Sequence, residues 1–142
     1  FRYCAHHDTD EVVQEMFIVH PRDAYVRPHL HINKIESMLV LQGEVDFVTF
    51  SDDGSINTVT SMANLDSGSN FYHSTRVDTY HSLLIRSEWL VFLEITQGPF
   101  KKEDSIFAEW SPVEKDSTEV KKYIYNLERE IKNGIANGIL YS

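Results

Sequence analysis

The sequence is poor in cysteine, in basic residues and in long apolar runs, and each shortage excludes a class of structure or partner. Cys4 is the only cysteine, so an internal disulfide is excluded and a reducing, cytoplasmic setting is expected. No run of about 18 apolar residues occurs, so no transmembrane helix and no membrane partner are predicted. The chain has 13 basic and 22 acidic residues and a net charge of −9, which argues against a nucleic-acid partner because such proteins need a basic surface.

Length and overall composition predict one globular domain. The chain has 142 residues, of which 42% are hydrophobic and 25% charged, which is enough for a sizeable core. No signal-peptide pattern is present, although the chain begins at Phe1 rather than methionine, which leaves its native start open.

Four side chains have the spacing of a metal site. His29 and His31 are followed by Glu36, and His81 comes much later in the chain. Residues two apart in a strand point to the same face, so His29 and His31 are expected to project together. Three imidazoles and one carboxylate suit a divalent transition metal. The alternatives are that the histidines satisfy hydrogen bonds in the core, and that Glu36 orients a histidine instead of binding the metal.

Short strands separated by turn residues dominate the first two thirds of the chain. Turns are indicated at Gly43 and at Ser51–Ser55, between segments rich in apolar and β-branched residues. About eight or nine short strands favour an antiparallel sandwich or barrel, and closing the sheet would remove exposed edges. The predicted strands cover residues 12–19, 25–31, 38–41, 45–50, 56–62, 71–74, 82–86 and 89–96.

The C-terminal part of the chain changes to helical character. Residues 107–112 are predicted to form a strap that packs two aromatic side chains on the barrel. Asp116, with a glutamate three residues on, begins a capping-box-like pattern, and apolar residues then recur at helical spacing up to a stop signal at 132–134. We therefore predict one amphipathic helix over 116–133, whose apolar stripe covers either the barrel or a partner subunit. We predict a barrel over residues 1–112 and a helical extension over residues 113–142.

The spacing of the histidine motif resembles the first conserved motif of the cupin superfamily. His81 lies where the histidine of the second cupin motif is found. Over residues 2–112 the sequence is also similar to the WbuC-type cupin-fold metalloproteins, which are often encoded among enzymes that build surface polysaccharide. The segments that carry this similarity are Arg2-Tyr3-x-x-His6, Val13-Gln14, Tyr25-Val26-x-Pro28-His29-x-His31, Glu36-Ser37, Tyr80-His81 and Glu94-x-x-x-Gly98-Pro99-Phe100.

The resemblance implies an all-β cupin jelly-roll barrel, here with a short C-terminal helix, a homodimer to which that helix contributes, and a role in surface polysaccharide (O-antigen) biosynthesis. Two departures from the cupin pattern are present. Asp23 stands where many cupins have a glycine, and residues 76–80 lack the usual Pro-x-Gly before the second-motif histidine. The turn that leads to His81 must therefore be built differently.

Five further residues are candidates for a pocket around the metal. Gln14 and Glu94 are polar residues inside apolar strands, and a buried polar side chain costs free energy unless it is paired, so each either faces water or lines the pocket. Arg27 lies two residues before the first histidine, and on a regular strand it would face the metal and hold an anionic group. The alternative is a solvent-facing arginine at a kink. The resemblance adds Tyr25 as a substrate-binding candidate and His6, from its N-terminal segment, as a catalytic one.

The chemistry of such a site depends on the metal. Six-coordinate Fe(II), Mn(II), Ni(II) or Co(II) would keep about two positions open for substrate oxygens, whereas tetrahedral Zn(II) would be filled, which favours a structural role. Open positions would support Lewis-acid isomerase or epimerase chemistry on a carbohydrate or sugar nucleotide, with Glu94, His6 or a tyrosine as base. The alternatives are an Fe(II)-dependent dioxygenase of small molecules and a non-catalytic, metal-stabilised ligand-binding module.

Overall fold

Ten β-strands, two single-turn 3-10 helices and one α-helix form the described part of the chain, residues 1–136, in the computed structural model of the protein. The elements are β1 (Arg2–Cys4), β2 (Val13–Pro21), β3 (His29–His31), β4 (Glu36–Gln42), β5 (Glu44–Phe50), β6 (Ile56–Ala63), β7 (Tyr72–Thr75), β8 (Tyr80–Ile85), β9 (Trp89–Gln97), β10 (Ser105–Phe107) and α1 (Ser117–Ala136). The first sheet has the order β1-β2-β9-β4-β7 and the second β10-β3-β8-β5-β6, with antiparallel pairing throughout.

This architecture confirms the predicted all-β fold with a C-terminal helix, with two differences in the strands. The strand predicted over 25–31 is reduced to β3, because residues 24–28 run outside the hydrogen-bonded ladder up to Pro28. Strands β1 and β10 were missed, since three residues are too few to show an alternating pattern. The division of the chain at residue 112 stays a prediction, and residues 137–142 of the predicted extension lie outside the described residues.

An interior core fills the space between the two sheets. Strand β5 illustrates the alternation that builds it, because Val45 and Phe47 face inward while Val48 and Phe50 face the opposite side. Gly43, at φ 95°, makes the turn between β4 and β5 that was predicted for it. The interior core consists of Ile18, Met38, Val40, Val45, Phe47, Met62, Ile85, Leu90 and Phe92.

The helix α1 packs on the outer face of the second sheet of its own chain. Asp116 caps it, as the capping pattern predicted, and its Oδ1 accepts the backbone N–H of Glu119 at 3.1 Å. The predicted end at Lys132–Gly134 is wrong, because the helix continues through Gly134 to Ala136. A glycine inside a helix costs only about 1 kcal/mol, so Gly134 alone does not end α1. The helix-side core consists of Val48, Phe50, Val59, Leu84, Leu127 and Ile131.

A charged anchor reinforces this packing. The Nε of Arg86 donates to Oδ2 of Asp46 at 2.8 Å, and its Nη1 lies 3.2 Å from Oε1 of Glu128 on α1. Asp46 is buried and also accepts a hydrogen bond from Ser61 Oγ at 2.7 Å. A buried carboxylate is tolerated only when it is paired, so this guanidinium ties the helix to the sheet.

The predicted strap is only partly correct. Trp110 packs against Phe50 and Tyr80, with ring centroids 5.2 and 5.9 Å apart. Phe107, however, belongs to β10 and is 47% exposed. No helix within residues 1–136 is long and apolar enough to cross a membrane.

Candidate metal centre

Three histidines converge from two neighbouring strands of the second sheet. His29 and His31 are two residues apart on β3 and share a face, as predicted, and His29 pairs directly with His81 on β8. Their ring centroids are 4.6 Å (His29–His81), 5.0 Å (His29–His31) and 5.8 Å (His31–His81) apart. The three rings can each offer one nitrogen such that all lie within 4.8 Å of one another. We call these residues the histidine group.

Backbone carbonyls fix the tautomers of two of these rings. Nδ1 of His29 lies 2.8 Å from the carbonyl oxygen of Arg27, and Nδ1 of His81 lies 2.9 Å from that of Thr79. A carbonyl can only accept, so each Nδ1 carries the proton and each Nε2 keeps its lone pair. This is the arrangement that holds a metal-binding histidine in orientation.

Glu36 reaches the histidine group from the opposite sheet. As the first residue of β4, it places Oε2 3.0 Å from Nε2 of His31 and Oε1 3.3 Å from Nε2 of His81. Burial alone would raise the pKa of the Glu36 carboxyl, but the His31 and His81 rings beside it hold that pKa well below its usual range. The carboxylate is therefore charged at neutral pH, and it spans two of the three rings.

The protonation state of His29 suits a ligand. Burial, then the neighbouring His81 ring, lowers the pKa of His29 to about 4. The imidazole is therefore neutral at physiological pH, as metal binding requires.

The residues fit a divalent transition metal, and one atom supports that fit in particular. Nε2 of His81 is buried and, despite its proximity to Glu36, forms no hydrogen bond with any residue of the described chain. A buried polar atom without a partner is rare and costs free energy, so its presence calls for an explanation. A metal ion bound by the histidine group would satisfy this lone pair.

Two linked turns position His31 and His81, and they replace the Pro-x-Gly that the sequence lacks. Asp78 adopts φ 55° and Asn33 φ 53°, the left-handed region that aspartate and asparagine tolerate better than most residues. Oδ1 of Asp78 accepts the Asn33 backbone N–H at 2.9 Å, and the Asp78 N–H donates to the carbonyl of His31 at 3.3 Å. The turn before His81 is thus fastened to the turn after His31.

Arg27 bonds away from the histidine group, which corrects the prediction from strand alternation. Its Nε donates to Ser111 Oγ at 3.0 Å and its Nη2 to the Ala108 carbonyl at 3.1 Å, while its guanidinium lies 5.1 Å from the centroid of the Phe107 ring. Alternation fails because residue 27 precedes β3 and lies outside the ladder. The side chain instead holds the segment between β10 and α1 against the barrel.

Two other substrate-binding candidates also donate hydrogen bonds to backbone carbonyls outside the histidine group. The Tyr25 hydroxyl donates to the Pro112 carbonyl at 3.1 Å, and its ring meets Tyr123 of α1 at 6.1 Å. Gln14 is buried and shares the inward face of the first sheet, yet its Nε2 donates to the backbone carbonyls of Asp8 and Glu11 at 3.2 and 2.8 Å. Both residues secure connecting segments of the fold.

The two catalytic candidates differ in their position. Nδ1 of His6 lies 3.0 Å from the carbonyl oxygen of Glu15 on β2, and His6 is not brought into the histidine group. Glu94 pairs with Met16 on one side and with Met38 on the other, so it faces the barrel interior with them. Burial, then the charge of Glu36, raises the pKa of Glu94 to about 8.

The structure adds residues that sequence reasoning did not select for the site. Ser105 on β10 lies with its Oγ 3.0 Å from Nδ1 of His31. Phe47 stacks on His81, with centroids 5.4 Å apart and planes inclined by 12°, and its centroid lies 4.1 Å from that of His73. Of these three residues, only Phe47 has a signal in the sequence, because its place in an alternating strand indicates an inward-facing side chain. Ser105 and His73 have no distinctive spacing.

Comparisons with known proteins give a fold but few functional details. A family model described as a domain of unknown function, DUF6016, matches residues 1–62, and no curated protein matches the sequence. A protein of Shewanella oneidensis has a similar structure, with a TM-score of 0.63 and 9% identity over 75% of this chain and 72% of that one. An uncharacterized conserved protein with a double-stranded β-helix domain from Klebsiella pneumoniae is also similar, with a TM-score of 0.58 and 13% identity over 77% of this chain and 79% of that one.

Bacillus subtilis oxalate decarboxylase, a protein described with Mn(II) centers, is similar with a TM-score of 0.55 and 18% identity. The similarity covers 68% of this chain and 24% of that enzyme, so the chain spans about a quarter of its length. Together with the two facing sheets, these similarities show that the chain has the double-stranded β-helix fold of the cupins. The DUF6016 match includes His29, His31 and Glu36 but ends before His81.

Proposed function

We propose that His29, His31 and His81 bind one divalent transition metal inside the barrel, and that the protein acts there on a small polar molecule. The observation that carries this proposal is the buried Nε2 of His81, which has a free lone pair and no hydrogen-bond partner among residues 1–136. Fe, Mn, Ni, Co and Zn all accept such nitrogen ligands, so the ligand set does not select one of them. A measurement of the bound metal must identify it.

Each residue of the site has a definite task in this proposal. When bound, the metal would supply Lewis-acid polarisation of a substrate carbonyl or hydroxyl. The carbonyls of Arg27 and Thr79 hold two imidazoles in the ligand tautomer, and the charged Glu36 balances the cation, either as a fourth ligand or by orienting His31 and His81. Glu94, whose pKa is raised to about 8, faces the barrel interior and holds a proton there for transfer to or from a substrate.

The geometry favours an uncharged, hydroxyl-rich substrate. Arg27, the cation that would have bound an anionic group, is hydrogen-bonded to the segment before α1. The charged carboxylate of Glu36 disfavours a second anion beside it. A carbohydrate without a phosphate therefore suits the interior better than a sugar nucleotide, and we propose isomerase or epimerase chemistry on it. The WbuC-type resemblance supports a setting in surface polysaccharide biosynthesis, with a cytoplasmic location.

Metal content of untagged protein, measured by elemental mass spectrometry, tests the proposal. We expect roughly one transition metal per chain in the wild type, and loss of more than about 90% of it in His31→Ala and His81→Ala. His7→Ala, which removes an exposed histidine, is the matched control and should keep the metal. Circular dichroism checks that the variants are folded. A metal-free wild type after reconstitution, or equal metal in all four proteins, would contradict the proposal.

Activity assays on the metal-loaded protein then separate the remaining functions. Interconversion of aldose and ketose sugars or of epimers, followed by NMR, supports the isomerase. Oxygen uptake by the iron-loaded protein would instead support an Fe(II)-dependent dioxygenase, and tight sugar binding without turnover would support a ligand-binding module.

A further inference from the structure

The short strand β10 brings two side chains against the histidine group. It lies at the border of the second sheet, where Ser105 pairs with His31. Phe107 pairs with His29 in the same way. Residues directly opposite each other in an antiparallel pair project from the same face, so both side chains point inward. The Phe107 ring centroid lies 6.0 Å from that of His29, and this aromatic ring therefore borders the metal site.

The exposed fractions of the side chains show on which side the site opens. Phe107 is 47% exposed, and the His31 side chain beside β10 is still 16% exposed. The side chains of Glu36 and His81, which lie farther from β10, are only 9% and 3% exposed. The site is thus nearest to solvent on the β10 side, and a molecule that reaches the histidine group from there passes Phe107 first.

Arg27 supports the Phe107 ring from one side. The guanidinium carbon lies 5.1 Å from the ring centroid, within the range of an attractive contact between a cation and an aromatic face. The guanidinium is itself fixed, because it donates to Ser111 Oγ and to the Ala108 carbonyl. The ring is therefore held beside the site before any ligand arrives, and a group that is already ordered loses little conformational entropy when it binds.

The first sheet, which faces β10 and β3 across the interior, is polar at this depth. Glu36 pairs with Thr96 on β9 and with Thr75 on β7, so both threonines share its inward face. Their hydroxyl groups flank the carboxylate that reaches the histidine group. The site therefore has an aromatic surface on one sheet and hydroxyl groups on the other, and a matching ligand has an apolar face and an edge that carries hydroxyls.

We propose that Phe107 is a substrate-binding residue, on which one face of a cyclic, uncharged sugar lies while its hydroxyls reach the metal. This inference rests on the proposed function, because it assigns a further contact at the same site. The C–H bonds on the less polar face of a sugar ring carry a slight positive charge, and they pack on the negative face of an aromatic ring. A small dicarboxylate has no such face and is repelled by Glu36, while an aromatic diol offers fewer hydroxyls to Thr75 and Thr96.

Calorimetric titration of the metal-loaded full chain with glucose, mannose and galactose tests this assignment. We expect the wild type to bind at least one of these sugars, and Phe107→Ala to raise its dissociation constant at least about 10-fold. Phe107→Tyr keeps the aromatic face and should stay within about 3-fold of the wild type. Ile106→Ala is the matched control, because Ile106 is 41% exposed on the same strand but points to the opposite face. In a turnover assay the Phe107→Ala change should raise KM more than it lowers kcat.

Metal content of the same samples separates failure of this inference from failure of the metal site. A wild type without metal would sink both. A metal-loaded wild type that binds none of the three sugars would overturn the role of Phe107 alone, as would equal affinities for Phe107→Ala and Ile106→Ala. Catechol bound more tightly than every sugar would also overturn it, in favour of an aromatic substrate. Phe107→Leu, which keeps the apolar volume but lacks the ring, covers the case in which Phe107→Ala fails to fold; sugar binding as in the wild type would show that the ring is not required.

Discussion

Replacing Glu94 by glutamine tests whether the barrel interior stores a proton. Glu94 faces inward beside Met16 and Met38, and burial, then the charge of Glu36, raises its pKa from 4.5 to about 8. A carboxyl that is protonated at neutral pH is closely matched in shape and hydrogen bonding by the amide of glutamine. The substitution therefore preserves the folded state and removes only the titration.

The expected magnitude follows from the two pKa values. Between pH 4.5 and 8 the folded chain keeps a proton on Glu94 that the unfolded chain releases, so the free energy of unfolding falls as pH rises. For one proton the slope is at most about 1.4 kcal/mol per pH unit. The contribution is fully present below pH 4.5 and lost above 8. Relative to wild type, Glu94→Gln should gain on the order of 3 kcal/mol across this range, after allowance for partial exposure of the carboxyl.

Urea unfolding of metal-free protein at several pH values between 4.5 and 8 measures this difference. Glu15→Gln, which removes an exposed carboxylate from the neighbouring strand, is the matched control and should follow the wild type. A stability difference between Glu94→Gln and wild type that does not change with pH would refute the reasoning. It would mean that Glu94 is ionised in the folded chain, and it would remove this residue as the proton carrier of the proposed reaction.

Two further substitutions test the parts of the fold that position the site. Arg86→Met leaves the buried Asp46 without its cation and should lower the free energy of unfolding by about 2–3 kcal/mol. Lys122→Met, at an exposed ion pair on α1, is the control and should change it by less than about 0.5 kcal/mol. Urea unfolding of both variants measures these differences. Gly43→Ala should cost at least about 2 kcal/mol and lower the melting temperature, because φ is 95° and an added Cβ would collide with the Trp89 carbonyl oxygen. An unchanged melting temperature would contradict this.

The histidine group was predictable from two signals, one local and one from the cupin resemblance. His29 and His31 needed only the two-residue repeat of a strand, and the position of His81 followed from the cupin pattern. The cap at Asp116 and the turn at Gly43 were predictable for the same reason, since each depends on a few neighbouring residues. Arg27 could not be placed in this way, because the backbone leaves the strand ladder before residue 29 and local alternation then has no meaning.

The sequence by itself determined the kind of fold, the shared face of His29 and His31, and the presence of a C-terminal helix, because strand alternation, turn residues and helical periodicity act over a few positions. Only the tertiary structure decided how Glu36 spans two histidines from the opposite sheet, that Arg27 and Tyr25 hold the segment before α1, and which face of which sheet that helix covers. These outcomes join residues that are up to about 90 positions apart, and no local preference specifies such contacts. The same packing leaves the outer face of the first sheet without a covering helix within residues 1–136.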